Sequence, residues 1–381
     1  MHKNEPKAVG PKQAFISFEA GLGLAFLAAV TAAFNLKLVL TEFGPGLARS
    51  MEAALGILKG EPLWRVFQSR LFGPHLARLV GYAFDLEFPN AYLVTLLGGL
   101  FVFYLAVAFI AKHLFKANAA PVIAIVGAGY FNALFMRGRW LYIWDAFELL
   151  ALALVTWAIL SNKPLKVLSW ILVLAAFNRE TSVIVALWLV LDACVRSQPA
   201  GSGRFVALSL DKDQLRTGGL LTVGIYLALE LVRKELMVRE IGPIRFTDVE
   251  RQAGELAHIQ LGLNFESLIG ALSAPLENER FLYTIVVFAI PILAAVGLRA
   301  QQQPVRRASS LTLVLWLATV AFGFIYEYRV WLTFVPFLVL VAPQILGLRV
   351  EAPALALSPA SETTRSGPSP APHQDSSVPS L

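Results

Sequence analysis

Residues 175–187 read AAFNRETSVIVAL, and how this stretch is read decides how the rest of the chain threads. Asn178, Arg179, Glu180, Thr181 and Ser182 stand together between two apolar runs, 165–178 and 181–197. In a soluble protein they would form a surface turn. In a membrane they form either the tip of a tight hairpin between two short passes or the break in one helix. Two passes and one pass give opposite topologies for everything downstream.

Composition settles the class. The 381-residue chain is 57% hydrophobic and 15% charged, with a mean hydropathy of +0.64. Soluble domains carry about 25% charged residues. The chain therefore reads as a polytopic membrane protein. Its net charge of +6 fits Lys and Arg in cytoplasmic loops rather than nucleic-acid binding. The single cysteine, Cys194, excludes a disulfide within the chain and a Cys-based metal site. No P-loop, zinc HExxH helix, GxSxG elbow or haem motif is present. Neither a cofactor nor a divalent metal is indicated.

A helical pass needs roughly 20 apolar residues, and about ten runs qualify, some of them short. They lie near 16–39, 90–111, 119–136, 142–161, 165–178, 181–197, 217–234, 281–299, 309–326 and 330–347. The first reads as an uncleaved span. The positive-inside rule then orients the chain, with both termini cytoplasmic. Inner segments carry Lys3, Lys7 and Lys12; Lys112 and Lys116; Lys163 and Lys166; Arg196, Arg204, Lys212 and Arg216; Arg299, Arg306 and Arg307; and Arg349. A single pass over 165–197 would put Arg299, Arg306 and Arg307 outside, so two passes are expected. The expected organisation is a cytoplasmic segment 1–13, an all-α transmembrane bundle 14–348 and a disordered cytoplasmic tail 349–381. Outer loops fall at 40–89 and 235–280, and GLARSMEAALGILKG in the first is expected to form a surface helix. Compact loops and the absence of targeting signals favour a bacterial inner membrane.

Ionisable groups gather on the expected outer side. Arg137, Arg139 and Asp145 come from RGRWLYIWD, and Asp145 shares a helix face with Glu148. Trp140, Tyr142 and Trp144 read either as an interfacial belt or as stacking surfaces for a sugar or lipid chain. Glu327 and Arg329 pair a carboxylate with a guanidinium near the last span. Arg65, Arg70 and His75 in the first outer loop suit a phosphate, because the arginine fork donates two parallel hydrogen bonds. The same residues also suit simple contact with lipid headgroups. Arg179 and Glu180 read either as a snorkelling pair closing a hairpin or as part of a polar cavity.

The layout resembles the polytopic GT-C-fold glycosyltransferases and bacterial integral membrane proteins related to them. The resemblance covers residues 14–348. It rests on the long first outer loop, WRVFQSRLFGPHLA, WDAFELLALAL, the FNRETS knot and YEYRVWLTFVPFL. It implies a donor sugar carried on a polyprenyl phosphate, an extracytoplasmic acceptor, and membrane lipids as partners. It also implies a catalytic carboxylate in the first outer loop, which here is Glu42. Family members usually have an Asp there, often paired, whereas residues 40–50 hold Glu42 alone. Asp145 and Glu180 are the other candidate bases, and Arg65, Arg70, Arg179 and Arg329 the candidate phosphate ligands. A transporter or flippase of a lipid-linked or anionic solute, and a non-catalytic relative of the same fold, remain the alternatives.

Overall fold

The computed structural model describes residues 11–62, 67, 70–115, 117–136, 141–197, 206–208, 210–237, 261–273, 279–323 and 328–347. The expected tail 349–381, the first ten residues and most of the loop 235–280 lie outside them.

Each of the ten apolar runs is helical over most of its described residues, because a chain in lipid must satisfy its backbone polar groups within itself. The helices are α1 (Pro11–Leu58), α2 (Phe72–Phe84), α3 (Phe88–Leu114), α4 (Ala120–Met136), α5 (Ile143–Leu160), α6 (Leu165–Ala176), α7 (Thr181–Cys194), α8 (Lys212–Leu236), α9 (Leu261–Leu272), α10 (Glu279–Gly297) and α11 (Gln303–Phe322). A final helical segment, α12, spans Tyr328–Ile345. It begins as a 3₁₀ helix and passes through a π-helical turn at Phe337–Val341. Six helices are long and apolar enough to cross a membrane: residues Glu19–Glu42 of α1, then α3, α5, α8, α11 and α12. Four shorter apolar helices lie among them, α4, α6, α7 and Thr284–Gly297 of α10. The one departure from an all-α reading among the described residues is a two-stranded antiparallel ribbon, β1 (Val195–Ser197) with β2 (Val206–Leu208).

One expectation is corrected here. GLARSMEAALGILKG is not a separate surface helix. It is the C-terminal part of α1, which stays helical through Gly44–Gly46. Leu47, Ser50, Ala53, Ala54 and Ile57 are buried at helical spacing, and that packing outweighs the weak local propensity of the Gly-Pro-Gly step. The separate amphipathic helix of this stretch is α2 instead. It buries Gly73, Pro74 and Ala77 and exposes Phe72, Leu79, Tyr82 and Phe84. That amphipathic form suits a helix lying in a membrane interface.

α3 is the centre of the bundle and packs on α1, α2, α4 and α5. A proline opens it and Lys112 and His113 occupy its last turn, as helix-end electrostatics favour. Asn132 of α4 donates to the Tyr104 hydroxyl of α3 over 2.7 Å, an interhelical bond of the kind that fixes helix register in lipid. Gly129 lets α4 close onto α1, since a Cβ there would meet Thr31 Cγ2 at 2.6 Å. Elsewhere large apolar side chains face outward, including Phe26 and Phe34 on α1, Ile123 and Tyr130 on α4, and Leu220, Val223, Leu227 and Leu231 along α8. Such a surface is costly in water and natural against acyl chains.

The hairpin question is answered by contacts at the two ends of α7. Thr181, at its start, donates to Glu148 near the start of α5. Asp192, in its last turn, accepts from Arg307 near the start of α11 and from Gln214 near the start of α8. The chain therefore runs down α5, up α6 and down α7, and reverses at Asn178–Glu180. α6 and α7 have 12 and 14 residues, about 18 and 21 Å at 1.5 Å per residue. Lys163, Lys166, Lys212, Arg216, Arg299, Arg306 and Arg307 all belong to the end of the bundle away from this reversal.

Candidate functional site

Four chain reversals deliver polar groups to the same end of the bundle. The approach to α2 brings Arg70, the start of α5 brings Tyr142 to Glu148, the α6–α7 turn brings Asn178 to Thr181, and the start of α12 brings Arg329 and Thr333. The end of α8 adds Arg233. Backbone bonds tie these pieces together. Phe72 N donates to Phe177 O at 2.9 Å, Ile143 N to the Tyr92 hydroxyl at 2.9 Å, and Asn178 Nδ2 to Trp144 O at 2.8 Å. Gly73 is needed where α2 meets α5, since a Cβ there would lie 2.7 Å from Ile143 Cγ2.

Two of the three carboxylates are engaged in holding the fold. Asp145 is 1% exposed. Its Oδ2 accepts Tyr142 N at 2.9 Å, capping α5 and opposing the positive end of its dipole. Its Oδ1 lies 3.4 Å from Arg179 Nη1 and 3.6 Å from Arg329 Nη1. Glu148 is 4% exposed and more completely bound. Arg179 Nη1 donates to its Oε2. Thr181 and Thr333 donate to its Oε1 over 2.6 and 3.4 Å. Buried charges persist only when paired and hydrogen-bonded in this manner. A crevice beside Glu148 and Arg179, lined also by Leu172, Asn178 and Val185, holds about 20 Å³, roughly room for one water.

Glu180 differs. Its side chain is 31% exposed and bridges two arginines, Arg70 Nη2 at 3.7 Å and Arg233 Nη2 at 3.5 Å. Arg233 also pairs with Glu230 one turn earlier on α8. Arg70 is 6% exposed and stacks over Phe67 and Trp144, 5.0 and 5.2 Å from their ring centroids. Its Nε and Nη1 are buried without a hydrogen-bond partner, as is Arg233 Nε. Burial pushes the Arg70 guanidinium down to about 10; Glu180 opposes the shift, while Arg179 and Arg329 reinforce it. For Arg179, burial and the neighbouring Arg329 act downward, while Glu148 and Asp145 together raise it above the ordinary value.

Tyr142 and Trp144 form neither a belt nor an open platform. Tyr142 and Trp144 are buried and stack on each other at 4.5 Å and 9°. Arg329 covers the outer face of Tyr142 at 4.5 Å, and Arg70 lies over Trp144. Cation–π contacts of this kind gain strength when desolvated.

Of the candidates read from the sequence, Asp145, Glu180, Arg70, Arg179 and Arg329 meet. Glu42 does not: it lies inside α1, exposed, rather than in a loop, and no ion pair or hydrogen bond joins it to the cluster among the described residues. His75 also stays apart, exposed on α2 with its Nδ1 2.9 Å from Leu71 O. Arg65, Arg137, Arg139 and Glu327 lie outside the described residues, and so does Trp140. Glu148, singled out for sharing a face with Asp145, proves to be the main acceptor of Arg179. Arg233 was not foreseen. Its signal was the charged run Glu230, Arg233, Lys234 and Glu235, closing a helix whose middle is apolar. Among the described residues no group of His, Cys, Asp and Glu has the makings of a metal site.

The chain matches no family model, no curated protein and no solved structure.

Proposed function

We propose that this protein is a GT-C-like membrane glycosyltransferase that moves a sugar from a polyprenyl-phosphate donor to an acceptor hydroxyl, at the end of the bundle that carries Glu180. The observation that supports it is a half-exposed carboxylate flanked by two arginines with unfilled buried donors. Arg70 and Arg233 would hold the donor phosphate. Glu180 is the base, because Asp145 and Glu148 are consumed by Arg179, Arg329 and the α5 cap. The acceptor oxygen attacks the anomeric carbon and gives its proton to Glu180. The bond from that carbon to the phosphate oxygen breaks, and its electron pair leaves with the polyprenyl phosphate. The guanidinium groups offset the charge that develops there.

The same reading puts this end on the extracytoplasmic side of a bacterial inner membrane and counts ten passes. The basic residues at the opposite end support that orientation, and the outward-facing belts on α1, α4 and α8 support lipid on all sides.

The test is mass spectrometry of lipids that co-purify with the full chain in nanodiscs. Wild type is expected to carry polyprenyl phosphate or its sugar ester. Arg70→Gln should lose both. Glu180→Gln should keep the unreacted sugar ester, because transfer is blocked. Absence of these lipids from all three folded proteins overturns the proposal. One observation favours a second reading, a non-catalytic relative: Asp145 and Glu148 are fully bound to partners within the chain. That reading predicts equal lipid content in wild type and Glu180→Gln.

A further inference from the structure

We infer that the cavity between the end of α1, the end of α2 and the first turn of α3 is a headgroup site for a phospholipid that carries both a phosphate and a primary ammonium, as phosphatidylethanolamine does. The cavity shares no lining residue with the Glu180 cluster, and the inference stands whether or not that cluster is catalytic.

Position is the first support. The cavity holds about 660 Å³, within the about 300–1,000 Å³ of small-ligand sites. Phe88 and Ala91 line it, so it lies where the spanning helix α3 begins. α2 forms one wall, and its outer face exposes Leu79, Tyr82 and Phe84. A helix of that form rests at the headgroup level of a bilayer. Leu55, Leu58 and Leu86 add apolar wall, which suits the glycerol and the first acyl carbons.

Charge is the second. Lys59, Arg78 and Asp85 all line the cavity. Arg78 donates through Nε and Nη2 to the Tyr82 hydroxyl, at 3.2 and 3.0 Å, which steadies its guanidinium beside the opening. The side chains of Lys59 and Asp85 enter no ion pair or hydrogen bond among the described residues. Two cations and an anion around one cavity complement a zwitterion rather than a purely anionic head.

Asp85 is the discriminating residue. It ends α2 in the left-handed region at φ 51°, a position that glycine commonly fills. Asp tolerates that conformation, but its carboxylate also meets the negative end of the helix dipole. α2 has no basic residue in its last turn to offset it. The turn itself is held by backbone alone, Asp85 N and Leu86 N both donating to Gly81 O. Neither backbone nor dipole favours a carboxylate here, and a ligand ammonium would be its counterion. Arg78 and Lys59 take the phosphate, and Asp85 accepts N–H bonds from the ammonium. A choline head has no N–H to give, and a glycerol head brings no positive charge, so the site selects ethanolamine over both.

The test titrates the full chain in mild detergent with phosphatidylethanolamine, phosphatidylcholine and phosphatidylglycerol of equal chain length, and native mass spectrometry reads the tightest-bound lipid. Wild type is expected to bind the ethanolamine lipid about two- to fivefold more tightly than either of the others, the range of an exposed ion pair. Asp85→Asn should lower the ethanolamine lipid to the affinity of the choline lipid. Lys59→Gln with Arg78→Gln should weaken all three. These side chains are exposed, and thermal unfolding checks that each variant is folded. Equal binding of the three lipids by wild type, or a preference that Asp85→Asn leaves intact, overturns the inference. Tightest binding of phosphatidylglycerol, lost in the double variant, overturns it in favour of a purely anionic headgroup. Asp85→Asn is expected to bind polyprenyl monophosphate as wild type does, so failure here leaves the glycosyltransferase reading standing.

Discussion

Arg179 and Glu148 are 31 residues apart in the chain, on the α6–α7 reversal and the first turns of α5, and they share a buried hydrogen-bonded ion pair. The pair joins two helices that also flank each other through the Asn178 bond to Trp144 O. It is therefore the fastener of the polar end rather than a reactive site.

Removing either member leaves an uncompensated buried charge. Arg179→Ala and Glu148→Ala are each expected to cost about 3–5 kcal/mol, enough to lose most folded protein. Arg179→Met with Glu148→Met should be less damaging than the two single changes combined, because neither charge is then stranded. Thermal unfolding in detergent, followed by size-exclusion profile, reads the cycle.

Glu180→Gln separates function from stability. Glu180 is partly exposed but its partner Arg70 is buried, so the change is expected to cost about 1–3 kcal/mol, less than the loss of Glu148. If Glu180 is the base, the same change should slow transfer about 10²–10⁴-fold. A stability loss as large as that of Glu148→Ala would show that Glu180 is structural.

Gly73→Ala tests the junction of α2 with α5. The added Cβ would meet Ile143 Cγ2 at 2.7 Å and Trp144 N at 3.4 Å. Both belong to buried residues, so overpacking should cost about 1–3 kcal/mol. Because the shift would move Trp144 against Arg70, polyprenyl monophosphate binding should fall as well. Gly98→Ala has nothing within 4 Å to meet and serves as the neutral control.

The opposite end of the bundle provides a contrast. Asp192 Oδ2 accepts from Arg307 Nε and from Gln214 Nε2, each at 2.8 Å, and Arg307 lies 5.6 Å from the centroid of Trp188. Asp192→Ala should destabilise the protein by about 3–5 kcal/mol. In the fraction that folds, polyprenyl monophosphate affinity should be unchanged. Unfolding and binding measured on the same sample would check both halves.

Orientation is open to direct measurement. If the proposed orientation holds, single cysteines introduced after Cys194→Ser at Lys163 and Gln301 should react with an impermeant maleimide only once the cytoplasmic side is opened. A cysteine at Asp85, beside α2, should react from outside. Reactivity of all three from one side would contradict the proposed threading.

Much of this architecture was legible in the chain alone. Apolar runs in a membrane have a single local solution, so 90–111 and 142–161 could be read as helices without knowing their neighbours. The lysines and arginines between runs gave the alternation of ends, including the reversal at residues 178–180. Charges also stand out in an apolar chain, which is why Asp145, Arg179, Glu180 and Arg329 were visible as candidates. Other features depended on packing at a distance. α1 continues past Glu42 because Leu47 to Ile57 find a buried face, and a Gly-Pro-Gly step alone argues for a loop. That continuation removed Glu42 from the site. The assignment of roles among carboxylates was equally hidden. Thr333 reaches Glu148 across 185 residues, and Arg233 reaches Glu180 from the far end of α8. Periodicity and charge are properties of neighbours along the chain, so the sequence by itself determined the helices, their alternation and the stock of charged groups. Which carboxylate is saturated and which stays half-exposed is a property of neighbours in space, and only the tertiary structure decided it.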